Sequence, residues 1–261
     1  MKVELQFEKL QKAISADDED ALKSAIAAGI DINSKDYHGR TLLMFAAEEG
    51  RTGIVKMLIR AKAKLDVRDQ MNFHDGGGKT ALHRAVANRH ADIADMLIGV
   101  GAKVDVADKV GQTPLELAIS NNDLLIAEKL LKAGADPNGS GKTVSPLSTA
   151  VALKSVEAVR LLLKYKADPN HPADAHRPVL ASAAFWGPAE ACRLLIEAGA
   201  KIDAKDADGK TALDRLNKTI DPQAWKILPP AEVEKLKCAV QDREQIKAML
   251  FEAGSRISAE K

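Results

Sequence analysis

Three Gly-Lys-Thr triplets, at 78–80, 141–143 and 209–211, are the first residues of this chain that could do chemistry. A lysine behind glycine-rich backbone can grip a nucleotide phosphate, but that loop also needs an earlier glycine at the G-x-x-x-x-G-K spacing. Phe73 and Asp136 occupy that place in the first two triplets, and the third has no glycine there. None of the three is a nucleotide loop. His83 and His90 stand seven residues apart and could be read as a metal pair. No cluster of Cys and His has zinc spacing, however. His171 and His176 lie in a Pro172-containing turn without a nearby thiol, and Cys192 falls on an apolar helix face, as a buried thiol would. Neither a Gly-x-Ser-x-Gly elbow nor a Ser–His–Asp arrangement stands out. The expectation is a protein with no catalytic residues, no metal site and no cofactor: not an enzyme.

The elements that carry these residues repeat. TLLMFAAEEG begins at Thr41, TALHRAVANR at Thr80, TPLELAISNN at Thr113, SPLSTAVALK at Ser145, PVLASAAFWG at Pro178 and TALDRL at Thr211. The steps between them are 39, 33, 32, 33 and 33 residues, and a degenerate copy starts at Glu8, again 33 residues before Thr41. Thr or Ser at a unit start is a good helix cap, and Pro114 and Pro146 suit the first helical position. Leu and Ala at the third and sixth positions share one helical face. A second apolar segment follows in each of the first five full units, closed by Gly101, Gly134 or Gly199 in three of them, as Gly29 closes that of the degenerate copy. Asp36–Gly39, Asp108–Gly111 and Asp206–Gly209 supply tight turns between units.

Composition agrees with stacked units. Only nine of 261 residues are aromatic while 46% are hydrophobic, so the core must be built from Ala, Leu, Ile and Val. Helices that share a thin interface need small residues rather than rings. Lys and Arg total 38 against 37 Asp and Glu, a net of +1, so no basic excess points to nucleic acid. No apolar run is long enough to span a bilayer. The first twenty residues carry acids throughout and no apolar leader. Two cysteines make no disulfide framework. The expected setting is cytoplasmic, with a periplasmic or secreted protein as the alternative if a leader has been removed.

A 33-residue period bearing T-P-L-H-x-A, then Gly-Ala and Asp/Asn before a D-x-x-G turn, resembles the ankyrin repeat over nearly the whole chain. The resemblance implies an all-α ankyrin-repeat solenoid of about seven helix-turn-helix units, joined by β-turn fingers and curved around a concave groove. As one domain, 1–261 would divide into an N-terminal capping repeat (1–34), five central repeats (35–204) and a C-terminal capping repeat (205–261). The 39-residue step places a six-residue finger insertion near 70–75, and a second insertion falls near 217–240. The resemblance also implies that the His83 ring braces its turn by hydrogen bonding.

In that family, partner contacts come from the fingertips and the exposed positions of the first helix. Carried onto this sequence, the partner-binding residues are Tyr37, His38, Arg40, Phe45, Phe73, His74, Arg84, Lys109, Gln112, Leu153, His176, Arg177, Phe185 and Trp186. Five of the nine aromatics fall in this set, and aromatics and arginine dominate binding hot spots. The expected function is therefore non-catalytic binding of a protein partner in the groove by a chain that is monomeric when unbound, without nucleic acid or membrane. The alternative is a stoichiometric inhibitor or self-protection protein that occludes a partner enzyme's active site. Its plug would be the finger insertion or the C-terminal unit.

Overall fold

Thr41, Thr80, Thr113 and Ser145 start helices for the reason their side chains suggest. Each hydroxyl oxygen accepts the backbone N–H three residues on, from Met44, His83, Glu116 and Ser148, at 3.2–3.4 Å. One of the donors that a helix start leaves open is thereby satisfied. Pro114 and Pro146 follow at the first helical position, where no N–H is needed.

The computed structural model describes residues 2–70, 77–171, 177–216 and 244–255. Among the described residues its helices form six successive pairs, α1 (Lys2–Ser15) and α2 (Glu19–Ala27), α3 (Leu42–Glu48) and α4 (Thr52–Arg60), α5 (Ala81–Ala87) and α6 (Ala91–Gly99), α7 (Pro114–Ser120) and α8 (Leu124–Lys132), α9 (Pro146–Ala152) and α10 (Val156–Lys164), α11 (Val179–Trp186) and α12 (Ala189–Glu197), followed by α13 (Ala212–Leu216) and by α14 over 244–255. Among the described residues there is no strand, only an isolated bridge between Lys35 and Thr41.

The chain gathers into two compact units, Met1–Thr143 and Val144–Lys261. In the first, α3 packs on α1 and α5, and α5 on α7; α4 packs on α2 and α6, and α6 on α8. In the second, α11 packs on α9 and α13, and α10 on α12. First helices stack on first helices and second on second, the arrangement of a one-dimensional array. Ala46, Ala85 and Ala118 are fully buried at these contacts beside Leu43, Leu82 and Leu115. A methyl group there lets short helices approach closely, which accounts for the scarcity of rings.

Between second helices and fingers a polar clamp recurs. Asn33, Asp66 and Asp105 each accept, through Oδ1, the backbone N–H of the next unit's loop, from Lys64, Lys103 and Asp136 at 2.8, 2.9 and 3.1 Å. Within the second unit Asn170 does the same for Lys201 at 2.8 Å. These are the Asp/Asn positions of the repeat pattern, and they tie each loop to its neighbour.

Three local features complete the ends of the chain, and the first departs from the sequence reading. Helix α1 starts at Lys2 rather than near Glu8 and runs 14 residues, because Phe7, Leu10 and Ile14 continue one apolar face into the core. The acidic run 17–20 spans an exposed turn and the start of α2: Asp18 caps α2 by accepting the Ala21 N–H at 2.9 Å, and Glu19 and Asp20 lie in its first turn, where the helix dipole favours negative charge. Helix α14 runs through Gly254. The insertion expected near 217–240 lies outside the described residues.

Candidate functional site

The finger turns are built on one plan. Oδ1 of Asp36 accepts the N–H groups of His38 and Arg40 at 2.9 and 2.8 Å. Asp108 takes those of Val110 and Gln112 at 3.0 and 2.8 Å, and Asp206 those of Asp208 and Lys210 at 2.9 and 3.0 Å. In the turn with six extra residues the base is retained. Asp69 Oδ1 accepts the Lys79 N–H at 3.1 Å while the Asp69 N–H donates to the Lys79 carbonyl at 3.1 Å. The other carboxylate oxygen, Oδ2, receives an arginine in three turns: Arg40 on Asp36 at 3.0 Å, Arg84 on Asp69 at 2.6 Å and Arg215 on Asp206 at 2.6 Å. The Lys210 amide, and after it Arg215, hold the Asp206 carboxyl below the ordinary carboxylate range.

Neighbouring fingers are zipped together. The Gln70 N–H donates to the His38 carbonyl at 2.7 Å and the Lys109 N–H to the Gly77 carbonyl at 2.8 Å. Arg68 donates from Nε to the Gly78 carbonyl at 3.1 Å and from Nη2 to the Ala107 carbonyl at 2.6 Å. Gly78 has φ +77°, and a Cβ there would lie 2.9 Å from the Lys109 nitrogen. Only glycine permits both the backbone conformation and this approach.

Beneath the fingers, His83 is buried. The Thr80 N–H donates to its Nδ1 at 3.2 Å, so the proton sits on Nε2, which donates to the Gln112 carbonyl at 3.2 Å. Burial lowers its pKa to about 4, which leaves a neutral ring at pH 7. Glu116 holds the same position one unit on, accepting the Thr113 N–H and the Thr143 hydroxyl, the latter at 2.7 Å. The His90 Nε2–H donates to the Glu48 carbonyl, 3.0 Å away, and its ring lies 2.7 Å from where a Cβ on Gly50 would stand. Both histidines are fixed braces rather than a metal pair. Among the described residues no group of three His, Cys, Asp or Glu side chains gathers as a metal site. Cys192 is buried, and burial pushes its thiol up to about 12, far from a reactive thiolate.

The sequence-predicted contact residues divide into presented and committed groups. Tyr37 is 84% exposed, with its ring 3.7 Å from that of half-buried His38. Lys109 is exposed on its fingertip, its ammonium donating to the Gln70 carbonyl at 3.3 Å, and Gln112 is half-buried. Phe45 is half-buried: the Arg40 guanidinium lies 4.1 Å over its ring, and Phe7 meets it edge-on at 5.9 Å. With Glu8, Gln11 and Lys12 it lines an open cleft of about 530 Å³. Arg84 is different. It is only 7% exposed, 2.6 Å from Asp69 and 3.7 Å from Glu48, so its guanidinium is committed inside the molecule rather than offered to a partner.

In the second unit Leu153 and Arg177 are exposed, and Phe185 is half-buried in a recess of about 60 Å³ with Arg177, Ala181 and Arg215. Trp186 is the last residue of α11. Phe73, His74 and His176 lie outside the described residues. Sequence reasoning missed the Asp–Arg pairs. Their signal was a spacing of nine residues between Asp206 and Arg215, and of fifteen between Asp69 and Arg84 in the turn that carries six more.

Comparison with known proteins agrees with this geometry. A family model described as "Ankyrin repeats (3 copies)" matches residues 67–141 and 139–206, and one described as "Ankyrin repeats (many copies)" matches 10–59. The putative palmitoyltransferase ZDHHC13 of Danio rerio is 30% identical over 221 residues, which are 82% of this chain and 33% of that protein. Cyclin-dependent kinase 4 inhibitor B of Homo sapiens is 38% identical over 88 residues, covering 33% of this chain and 63% of the relative. The chain thus spans about a third of the first of these relatives. The solved ankyrin repeat domain of human ASB11 superposes with a TM-score of 0.65 at 25% identity, over 85% of this chain and 98% of that domain. That of Bcl-3, a member of the IkappaB protein family, gives 0.69 at 24% identity, over 79% and 92%, a likeness of fold alone. Among the described residues no helix is long and apolar enough to cross a membrane.

Proposed function

The chain belongs to the ankyrin-repeat family, a fold of protein–protein interaction, and we propose that it binds a protein partner through its fingertips and the exposed ends of its first helices. The observation that carries this reading is Tyr37. A large ring stands 84% exposed on a turn fixed from within by Asp36 and from beside by the Gln70 N–H. An aromatic side chain on a rigid support buries much area for little lost freedom. Val110, on the Asp108 turn, is also exposed. Leu153, Arg177, Phe185 and Trp186 are the corresponding contacts of the second unit, with Phe73, His74 and His176 completing the set. Arg40 and Arg84 serve as braces that set the turns.

Photo-crosslinking tests this directly. A benzophenone amino acid at Tyr37 or Val110 should trap a partner from the protein's own cells, whereas the same group at Leu125, exposed on the second helix α8, should not. Capture through Leu125 and not through the fingertips would put the interface on the opposite helices and refute the assignment.

A second reading, a stoichiometric inhibitor, is favoured by the relative that is named as a kinase inhibitor. If the trapped partner is an enzyme, adding one equivalent of this protein should stop its turnover. Unchanged turnover in the saturated complex would leave a passive binder.

A further inference from the structure

The fingers of the first unit, residues 35–40, 67–79, 106–112 and 139–143, are sorted by charge. Their acids are turned inward. Asp36, Asp69 and Asp108 spend Oδ1 on N–H groups of their own turns. Glu116 lies beneath the fourth finger, where it accepts the Ser140 N–H at 3.1 Å and the Thr143 hydroxyl at 2.7 Å. Asp69, Asp108 and Glu116 are buried, and the Asp36 side chain is nearly so. The cations are turned outward. Lys35, Arg68, Lys109 and Lys142, on successive fingers, are exposed, and Lys79 is half-buried. Among the described residues no exposed acid stands on any of these fingers. The exposed Asp31, Asp105 and Asp136 sit at the clamp end of their hairpins and accept backbone N–H groups there.

Arg40 and Arg84 neutralise Asp36 and Asp69, so Asp108 and Glu116 remain against Lys35, Arg68, Lys79, Lys109 and Lys142. Asp75, which lies outside the described residues, adds one acid by sequence and leaves the cations in excess. Arg68 and Lys109 donate to carbonyls of neighbouring fingers, which take a hydrogen bond and leave the charge in place. On the second helices, by contrast, Lys129 meets Asp95 at 2.9 Å and Lys132 meets Glu128 at 3.4 Å. The net charge of +1 for the whole chain therefore conceals a basic row at the fingertips.

The row is continuous. Backbone bonds join the first finger to the second and the second to the third, and the Lys142 side chain closes on Gly111 of the third. Stacked helices lie about 8–10 Å apart, close to the screening length of about 8 Å at physiological salt, so the fields of adjacent fingers add. An extended peptide advances about 3.3 Å per residue, so every third side chain meets a new finger. Tyr37 and Val110 stand exposed within the row and offer apolar contact. At the far end of α3 the sign changes: Glu49, its C-cap, lines the cleft with Glu8 and would repel an anionic chain there.

We infer that the fingertip row of the first unit receives an extended acidic segment of the protein partner, with Asp or Glu near every third residue and apolar side chains between them. The inference rests on the fingertip-binding reading and adds to it the chemistry of the partner. Opposite charge across such a row steers encounter and fixes register.

The test uses the full chain in amide NMR, with N-acetyl-hexaglutamate amide as the probe and N-acetyl-hexaglutamine amide as its neutral counterpart. The Lys109 and Val110 amides should show saturable shifts with the glutamate probe and none with glutamine, while the Leu125 amide stays in place. Raising salt from about 50 to about 200 mM should weaken the probe several-fold. Lys109→Glu with Lys142→Glu should weaken it by about tenfold or more. Lys103→Glu with Lys132→Glu, the same change of net charge at exposed sites off the fingers, should weaken it by less than about twofold. Should the first double variant fail to fold, Lys35→Glu and the glutamine control still decide. Equal response to glutamine, or equal weakening by both double variants, would overturn the inference. So would tighter binding of a thymidine hexanucleotide at the same salt, which would assign the row to nucleic acid. Crosslinking at Tyr37 or Val110 traps a partner of either charge, so the broader reading stands or falls separately.

Discussion

The base and the tip of each finger in the first unit invert the usual distribution of polarity. At the base, charged and polar groups are buried: Asp69 with Arg84, His83 between Thr80 and Gln112, Glu116 under Thr143. At the tip, Tyr37 and Val110 stand exposed. Polar groups go inside where a turn must be held to a helix by directed bonds, because a turn offers little apolar area to bury. Apolar groups go outside where nothing in the chain itself covers them. The base makes the structure and the tip is left for something else.

The largest expected effect is at the base. Arg84→Ala leaves the Asp69 carboxylate buried without its charge partner and should lower unfolding free energy by about 3–5 kcal/mol, read from urea denaturation. A loss under about 1 kcal/mol would mean that the pair behaves like a surface ion pair and that the base is not the stabilising element.

Next comes the pH response of His83. Its pKa is near 6.5 when unfolded and about 4 when folded, so between those values the unfolded chain binds more protons. Stability is thus full above pH 6.5 and falls as the pH drops towards 4, by about 3 kcal/mol over the window. His83→Gln should flatten that slope, and a slope identical to that of the parent protein would show that other groups cause it.

At the end of α11 in the second unit, replacing Phe185 and Trp186 together with Ala should weaken partner binding by about 2 kcal/mol and leave the melting temperature in place. Unfolding of that variant would assign the pair to the core instead. The smallest effect concerns the ends of the second helices. Lys62 and Lys166 hold φ of 67° and 66° where Gly101 and Gly134 stand in other units. Lys62→Gly should stabilise by about 0.5 kcal/mol, the relief of left-handed strain less the entropy of a freer unfolded chain.

Much of the base was legible in the sequence, because its logic is local. Thr80 three residues before His83, or Thr113 before Glu116, is a capping arrangement visible in one dimension. The Leu and Ala positions follow from helical periodicity in the same way. Arg84 was not legible as a brace, since its partner Asp69 lies across an insertion and a turn, and only folding brings the two charges to 2.6 Å. The early start of α1 was obscured for a different reason: it lacks the Thr or Ser cap that marks α3, α5, α7 and α9. For the tips, the family resemblance put Tyr37 on a fingertip, where its ring is exposed. Phe45 was harder, because its contact with Phe7 joins residues 38 positions apart in sequence.

Tyr37→Ala is the most direct test of the division between base and tip, with partner affinity and melting temperature measured on the same preparation. The account predicts an affinity loss of about tenfold or more at an unchanged melting temperature. A fall in melting temperature with affinity intact would contradict it, since the fingertip ring would then belong to the fold.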